Sequence, residues 1–338
     1  MYRLIHRTHY RYTSPVDVAN HVACLRPREL SHQHVLDFDL HITPQPAMFI
    51  ERTDYFGNTH QIFSIQSPHR ELIVRSRALV EVLDPRPDKA IGMIPWESVR
   101  DSLPEDHSQA GLDAYQFSFE SQRVPLRPGF ADYALESFTP RRPLREALLE
   151  FTARIHKDFK FKAAATNMST TVDEVFLKRV GVCQDFAHLE IACLRSLGLA
   201  ARYVSGYLRT YPPPGQERAI GADASHAWLS VYCPGKAVIT NSSQASVNSN
   251  QGSVGENSRY PGSDLIDPEP KYRGPIWLDV DPTNNCEPGT NHITLAWGRD
   301  YSDVSPLRGL ILGGGKHTLK VGVDVEPLEQ PNAQPTLA

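Results

Sequence analysis

The chain has 338 residues, with 35 Lys or Arg against 39 Asp or Glu and a formal charge of -4. At 40% hydrophobic residues it can bury a substantial core, which excludes wholesale disorder and suits one large domain or two smaller ones. No apolar run of about 18 residues exists, which excludes a membrane-spanning helix, and the acidic balance argues against non-specific nucleic-acid binding.

Residues 1–83 read as β-structure. The opening Met1-Tyr2-Arg3-Leu4-Ile5-His6 mixes apolar and polar residues like a first strand. It lacks the apolar region of a secretory signal, and the cytoplasm is the expected compartment. Val35 to Ile42 and Leu72 to Val82 alternate with a period of two, which sets one face on a core and the other in water. Between them, Asp54-Tyr55-Phe56-Gly57-Asn58 has the composition of a turn. The many histidines here follow no metal-ligand spacing.

Residues 84–143 carry many prolines and irregular polarity, and read as a connector. At Leu144 the composition changes. Leu144, Leu148, Phe151 and Ile155 recur on one helical face, and Thr171 to Arg179 is a shorter helical candidate. Phe186, Leu189, Cys193 and Leu197 mark the clearest helix, from near Cys183 to a stop at Gly198. Strands follow at Ala201 to Leu208, His226 to Tyr232 and Ile276 to Asp281. Residues 240–275 interrupt this order with seven serines and four asparagines, the pattern of a surface insertion. Residues 296–338 read as C-terminal strands and a tail. They include an alternating run from His317 to Val325 and the turn Gly313-Gly314-Gly315, which has no phosphate-loop context.

Five cysteines are too few and too scattered for a disulfide scaffold, and no pair has the spacing of a zinc site. Cys183 differs from the others because it starts the strong helix. Free backbone N–H groups and the positive helix end favour a thiolate there. His226 heads a hydrophobic strand, and Asp281 ends the next one before Pro282-Thr283-Asn284. Cysteine, histidine and aspartate in such positions suit a thiol nucleophile, its general base and an orienting acid. Asp279, two residues away on the same strand face, competes with Asp281 for the last role. Gln184 is a candidate oxyanion donor or cleft residue, and Trp228 is expected to pack beside the site, with a cleft position that stacks on substrate as the alternative. Asp185 and His188, about one turn apart, are expected to pair on the helix surface, with cleft lining as the alternative. Cys193, Cys233 and Cys286 read as ordinary thiols.

Four segments in this order resemble the bacterial branch of the transglutaminase-like superfamily of cysteine enzymes. They are Gly181-Val182-Cys183-Gln184-Asp185-Phe186-Ala187-His188, Ala201-Arg202-Tyr203-Val204-Ser205-Gly206-Tyr207, Ser225-His226-Ala227-Trp228 and Asp281-Pro282-Thr283-Asn284. Residues 1–83, with Tyr10-Arg11-Tyr12, look like the β-rich region that precedes the core in that branch. The resemblance implies an α+β, papain-like core over residues 144–295, its nucleophile helix packed on an antiparallel sheet. It makes Cys183 the nucleophile, His226 the general base and acid, and Asp281 the orienter. One departure stands out: relatives join the His and Asp strands by a short connection, where this chain has residues 240–275.

The implied reaction is acyl transfer through a cysteine thioester on peptide or glutamine-type amides. Hydrolysis, as in a cysteine protease or amidase, ranks ahead of cross-linking to an amine by a transglutaminase. A non-catalytic peptide-binding relative is the third reading. The expected partner is a protein or peptide substrate, with neither nucleic acid nor membrane. No metal or organic cofactor is implied, and the sequence sets no oligomeric state.

Overall fold

The computed structural model describes residues 1–163, 165–167, 169–211, 224–234 and 276–328. The insertion read at 240–275 and the tail beyond Gln330 lie outside them. No helix among the described residues is long and apolar enough to cross a membrane.

The first five strands are β1 (Tyr2–Ala23), β2 (Gln33–Thr43), β3 (Met48–Thr53), β4 (Thr59–Ile65) and β5 (His69–Val82). They pair antiparallel in the order β2-β5-β1-β4-β3. In β1, Tyr2, Leu4, His6 and Thr8 are buried while Arg3 and Arg7 are exposed, the period-two signature of a sheet with one face covered.

The stretch read as a connector holds three short helices, α1 (Trp96–Ser102), α2 (Gln109–Tyr115) and α3 (Pro128–Leu135). They are followed by α4 (Leu144–Asp158), β6 (Lys160–Phe161), α5 (Val172–Lys178), β7 (Val180–Gly181) and α6 (Cys183–Ser196). Then come β8 (Ala201–Leu208), β9 (Ala224–Cys233), β10 (Ile276–Val280) and β11 (His292–Gly298). These four form an antiparallel sheet in the order β10-β9-β8-β11. Next come α7 (Tyr301–Val304), β12 (Leu307–Gly313) and β13 (His317–Pro327).

Helix α6 is the centre of the core. The stripe predicted from Phe186, Leu189, Cys193 and Leu197 is buried, and so are Ile191, Ala192 and Leu194. A helix wrapped in apolar contacts on nearly every side sits inside the molecule. It packs in one cluster with Leu148 and Phe151 of α4 and with Tyr203, Leu229 and Val231 of the second sheet. Burial of each such side chain contributes about 1.5–3 kcal/mol. Gly198, at φ +84, supplies the left-handed stop.

The two sheets are joined by apolar packing and by buried polar side chains. Leu4, Val80, Val323 and Val325 of the first sheet belong to the same apolar cluster as α6. The outer edge of β11 is also closed by side chains standing in for a strand. Gln33 receives the N–H of Thr294 and donates to its carbonyl, both at 2.8 Å. Asn58 does the same for Trp297 at 3.0 and 2.8 Å. Both amides are fully buried.

Strands β12 and β13 return to the first sheet, pairing with β1 opposite residues 16–23 and 2–12 respectively. Their turn, Gly313-Gly314-Gly315, has positive φ throughout, a path open to glycine at little cost.

Candidate active site

Cys183 is the first residue of α6 and is half-buried. The turn before it is held by Asp185, whose Oδ2 accepts the Val182 N–H at 2.8 Å and the Thr166 hydroxyl at 2.6 Å. Gly181 makes this possible, since a Cβ there would lie 2.9 Å from Cβ of Asp185. Asp185 is therefore buried as a cap. His188 is buried too, its Nε2 accepting the Tyr301 N–H at 3.1 Å. The expected surface pairing of these two residues is not found, because α6 has no solvent face there to carry it.

His226 stands on β9 opposite Gly206 of β8. Its Nε2 donates to Asp281 Oδ2 at 2.7 Å, and it shares a hydrogen bond with Cys183. With Nε2 committed to the carboxylate, Nδ1 is the ring nitrogen left for the thiol. Asp281 follows β10 and pairs through its backbone with Cys286, closing a tight loop. Its Oδ1 accepts the N–H groups of Thr283 and Asn284 at 2.9 and 3.2 Å. Its Oδ2 accepts from Asn284 Nδ2 at 2.6 Å and from His292 Nε2 at 3.1 Å, besides His226. Asp279 does not reach His226; its Oδ2 instead accepts the Trp228 indole N–H at 3.5 Å.

The electrostatics follow from this geometry. Burial works against charge on His226, but the hydrogen bonds to Asp281 and Cys183 outweigh it and raise its pKa to about 10. Burial also works against the Asp281 carboxylate. The donors from His226, His292 and Asn284 overcome that, holding its pKa well below the usual carboxylate range. The other core thiols are inert by comparison: burial pushes Cys193 far up, and Cys233 and Cys286 to about 11.

Cys183 and His226 open onto a cleft of about 430 Å³. Gln184 lines it. Trp228 and Asp185 do not: Trp228 is 1% exposed and lies behind His226 and His292, with ring centroids at 6.1 and 5.3 Å. Two features were missed by sequence reasoning. One is His292, although it heads an apolar strand just as His226 does. The other is the far wall of the cleft, built by Thr8 and Tyr10 of β1 and Leu319 and Val321 of β13. No local pattern signals that wall.

The only group of metal-binding residue types gathered among the described residues is His226, Asp281 and His292, with ligand atoms within 4.8 Å of one another. Those atoms already serve the hydrogen bonds given above.

Residues 2–81 match the model of the bacterial transglutaminase-like N-terminal region, and residues 132–239 that of the transglutaminase-like superfamily. An uncharacterized protein of Mycobacterium tuberculosis is 38% identical over 333 residues, covering 97% of this chain and 93% of the relative. One of Mycobacterium leprae is 26% identical over 330 residues, covering 96% and 98%. The crystal structure of "a Putative Cysteine Protease from Cytophaga hutchinsonii" superposes with a TM-score of 0.66 at 20% identity, over 98% of this chain and 92% of that one. At that identity the likeness concerns the fold, a mixed α+β architecture with a β-rich first region. Matching models over both regions, and a relative alike along nearly its whole length, place this chain in the transglutaminase-like superfamily.

Proposed function

We propose that the protein is a cysteine hydrolase that cleaves peptide or glutamine-type amides through a thioester on Cys183. The observation that carries this reading is the juxtaposition itself: His226 is bonded to Asp281 through Nε2, interacts with Cys183, and opens with it onto one cleft. A neutral core cysteine has no need of such partners.

Sγ of Cys183 attacks the amide carbonyl carbon, and its proton resides on Nδ1 of His226. The tetrahedral intermediate collapses as the C–N bond breaks, and the departing nitrogen takes that proton. Water then gives a proton to His226 and forms a C–O bond to the thioester carbon, breaking the C–S bond. Asp281 stays ionised and holds the imidazole. The N–H of Cys183 at the helix start, with Gln184 beside it, stabilises the oxyanion. The relay requires no metal or organic cofactor. An amine replacing water in the second half-reaction would make the same intermediate a cross-linking enzyme. A reducing compartment, such as the cytoplasm, keeps the nucleophile a free thiol.

The test is alkylation of Cys183 by iodoacetamide across pH, followed by peptide mass spectrometry in wild type and His226→Ala. Reactivity at neutral pH that the substitution abolishes supports the pair. Equal reactivity in both proteins sinks it and favours a non-catalytic peptide-binding protein. Incubating the reactive protein with a glutamine peptide, with and without a primary amine, then separates hydrolysis from cross-linking.

A further inference from the structure

Strand β1 is paired on one side with β5 and β4 and on the other with β13 and β12. Among the described residues no strand lies beyond β12 or β13. Such an edge presents unpaired N–H and C=O groups, and proteins usually blunt it with charge, proline or a covering loop. Here the stretch His317–Val321 is exposed along its whole length, with Leu319 and Val321 half in solvent and Lys320 its one lysine. Leu319 is opposite Tyr10 and Val321 opposite Thr8, so these four share a face, and all four line the cleft that holds Cys183 and His226. The described lining of that cleft contains no Asp, Glu, Lys or Arg.

We propose that this edge is the substrate-docking strand: an extended polypeptide pairs antiparallel or parallel with His317–Val321 of β13, and its alternate apolar side chains pack on Leu319 and Val321 as it runs toward Cys183. The edge supplies main-chain hydrogen bonds, the apolar face supplies side-chain preference, and the cleft gives the added strand a destination. The occupant follows from that continuity with the cleft. The inference rests on the hydrolase reading above and gives the β-rich first region a share in substrate recognition.

The probe is a fluorescein-labelled decapeptide with leucine at alternate positions and a central Gln–Gly pair. It is bound to the full chain carrying Cys183→Ala, so that nothing is consumed. On saturation, hydrogen exchange of the backbone amides in 317–321 slows. N-methylation of alternate peptide amides weakens binding about tenfold or more in one of the two frames, by removing edge hydrogen bonds. Leu319→Asp and Val321→Asp weaken it comparably. The inference is overturned by absence of binding, by unchanged exchange at 317–321 with peptide bound, or by equal affinity in both N-methylated frames. A chain that elutes as a dimer with those amides already protected assigns the edge to a second copy, and also overturns it. Acylation of wild-type Cys183 by p-nitrophenyl acetate, read by mass, keeps the two readings apart. Acylation without edge binding sinks this inference alone, whereas edge binding without acylation sinks the Cys183 chemistry and leaves a peptide-docking edge.

Discussion

His226 Nε2 stands 2.7 Å from Asp281 Oδ2, with both side chains almost sealed from solvent. A buried charge that loses its partner is costly, so the pair is far more sensitive to removal of one member than a surface bridge would be. Asp281→Asn should lower kcat/KM by up to about ten-thousand-fold, the loss seen when the orienting acid of a triad becomes an amide. The pH profile gives a sharper test. Despite burial, the bonds to Asp281 and Cys183 raise the His226 pKa to about 10, so the imidazolium persists below that value and is lost as pH rises through it. The alkaline limb should therefore lie near pH 10 in wild type and move down toward the ordinary imidazole range in Asp281→Asn. A limb that stays in place rejects this assignment.

His292 approaches the same carboxylate oxygen at 3.1 Å while its Nδ1 faces the Gly289 N–H at 3.4 Å. In the proposed mechanism it is a positioning residue that acts through Asp281, and Trp228 packs against it. His292→Phe removes one donor to a charged group, worth about 1.5–3 kcal/mol. Steady-state kinetics should show a loss of roughly ten- to a hundredfold in kcat/KM, smaller than for Asp281→Asn, with KM nearly unchanged. An effect confined to KM would argue for a substrate contact instead.

Local periodicity made some of this legible and could not reach the rest. The stripe from Phe186 to Leu197 and the alternation in β1 are short-range signals, and each survives in the fold. What β1 pairs with is another matter: Arg3 lies opposite Glu326, at the far end of the chain. No window of sequence records such a pairing. The prolines of 84–143 suggested a connector, yet Pro128 is the first residue of α3, a position where its missing N–H costs nothing. Cys183 and Asp281 could be singled out because they sit at element boundaries, and His226 because it lies near the start of an apolar strand. His292 and the Leu319–Val321 wall escaped because their roles exist only after distant segments meet. Asp185 and His188 were given a solvent face that a fully packed α6 does not have.

Asp185 ties the start of α6 to the Val182 N–H and to Thr166. Truncation to alanine leaves that N–H without its cap and a hydroxyl without its acceptor. Asp185→Ala should cost about 1–2 kcal/mol in urea unfolding. It should also slow alkylation of Cys183, since the helix start that orients the thiol loosens. Thr166→Val, which removes only the second contact, should cost less. Equal stability of Asp185→Ala and wild type would show that the cap is dispensable.

Glu190 is fully buried on α6, and its Oε2 has no hydrogen-bond partner among the described residues. The Thr152 hydroxyl lies 2.7 Å from Glu190 Oε1 and 2.9 Å from the Leu148 carbonyl. A hydroxyl has one proton, so both contacts are hydrogen bonds at once only when Glu190 is protonated and donates to Thr152. Burial raises its pKa, the Thr152 bond lowers it, and the Asp281 charge raises it again, for a result of about 8. A carboxyl raised in this way favours the folded state fully below the unfolded value of about 4.3, and that advantage is lost as pH climbs toward 8. Glu190→Gln keeps the shape and a donor but cannot ionise. It should therefore gain on wild type by on the order of 4–5 kcal/mol at pH 8 and by little near pH 4.5. Urea midpoints at the two pH values decide the matter. A difference that is the same at both would mean that Glu190 does not change its charge on folding.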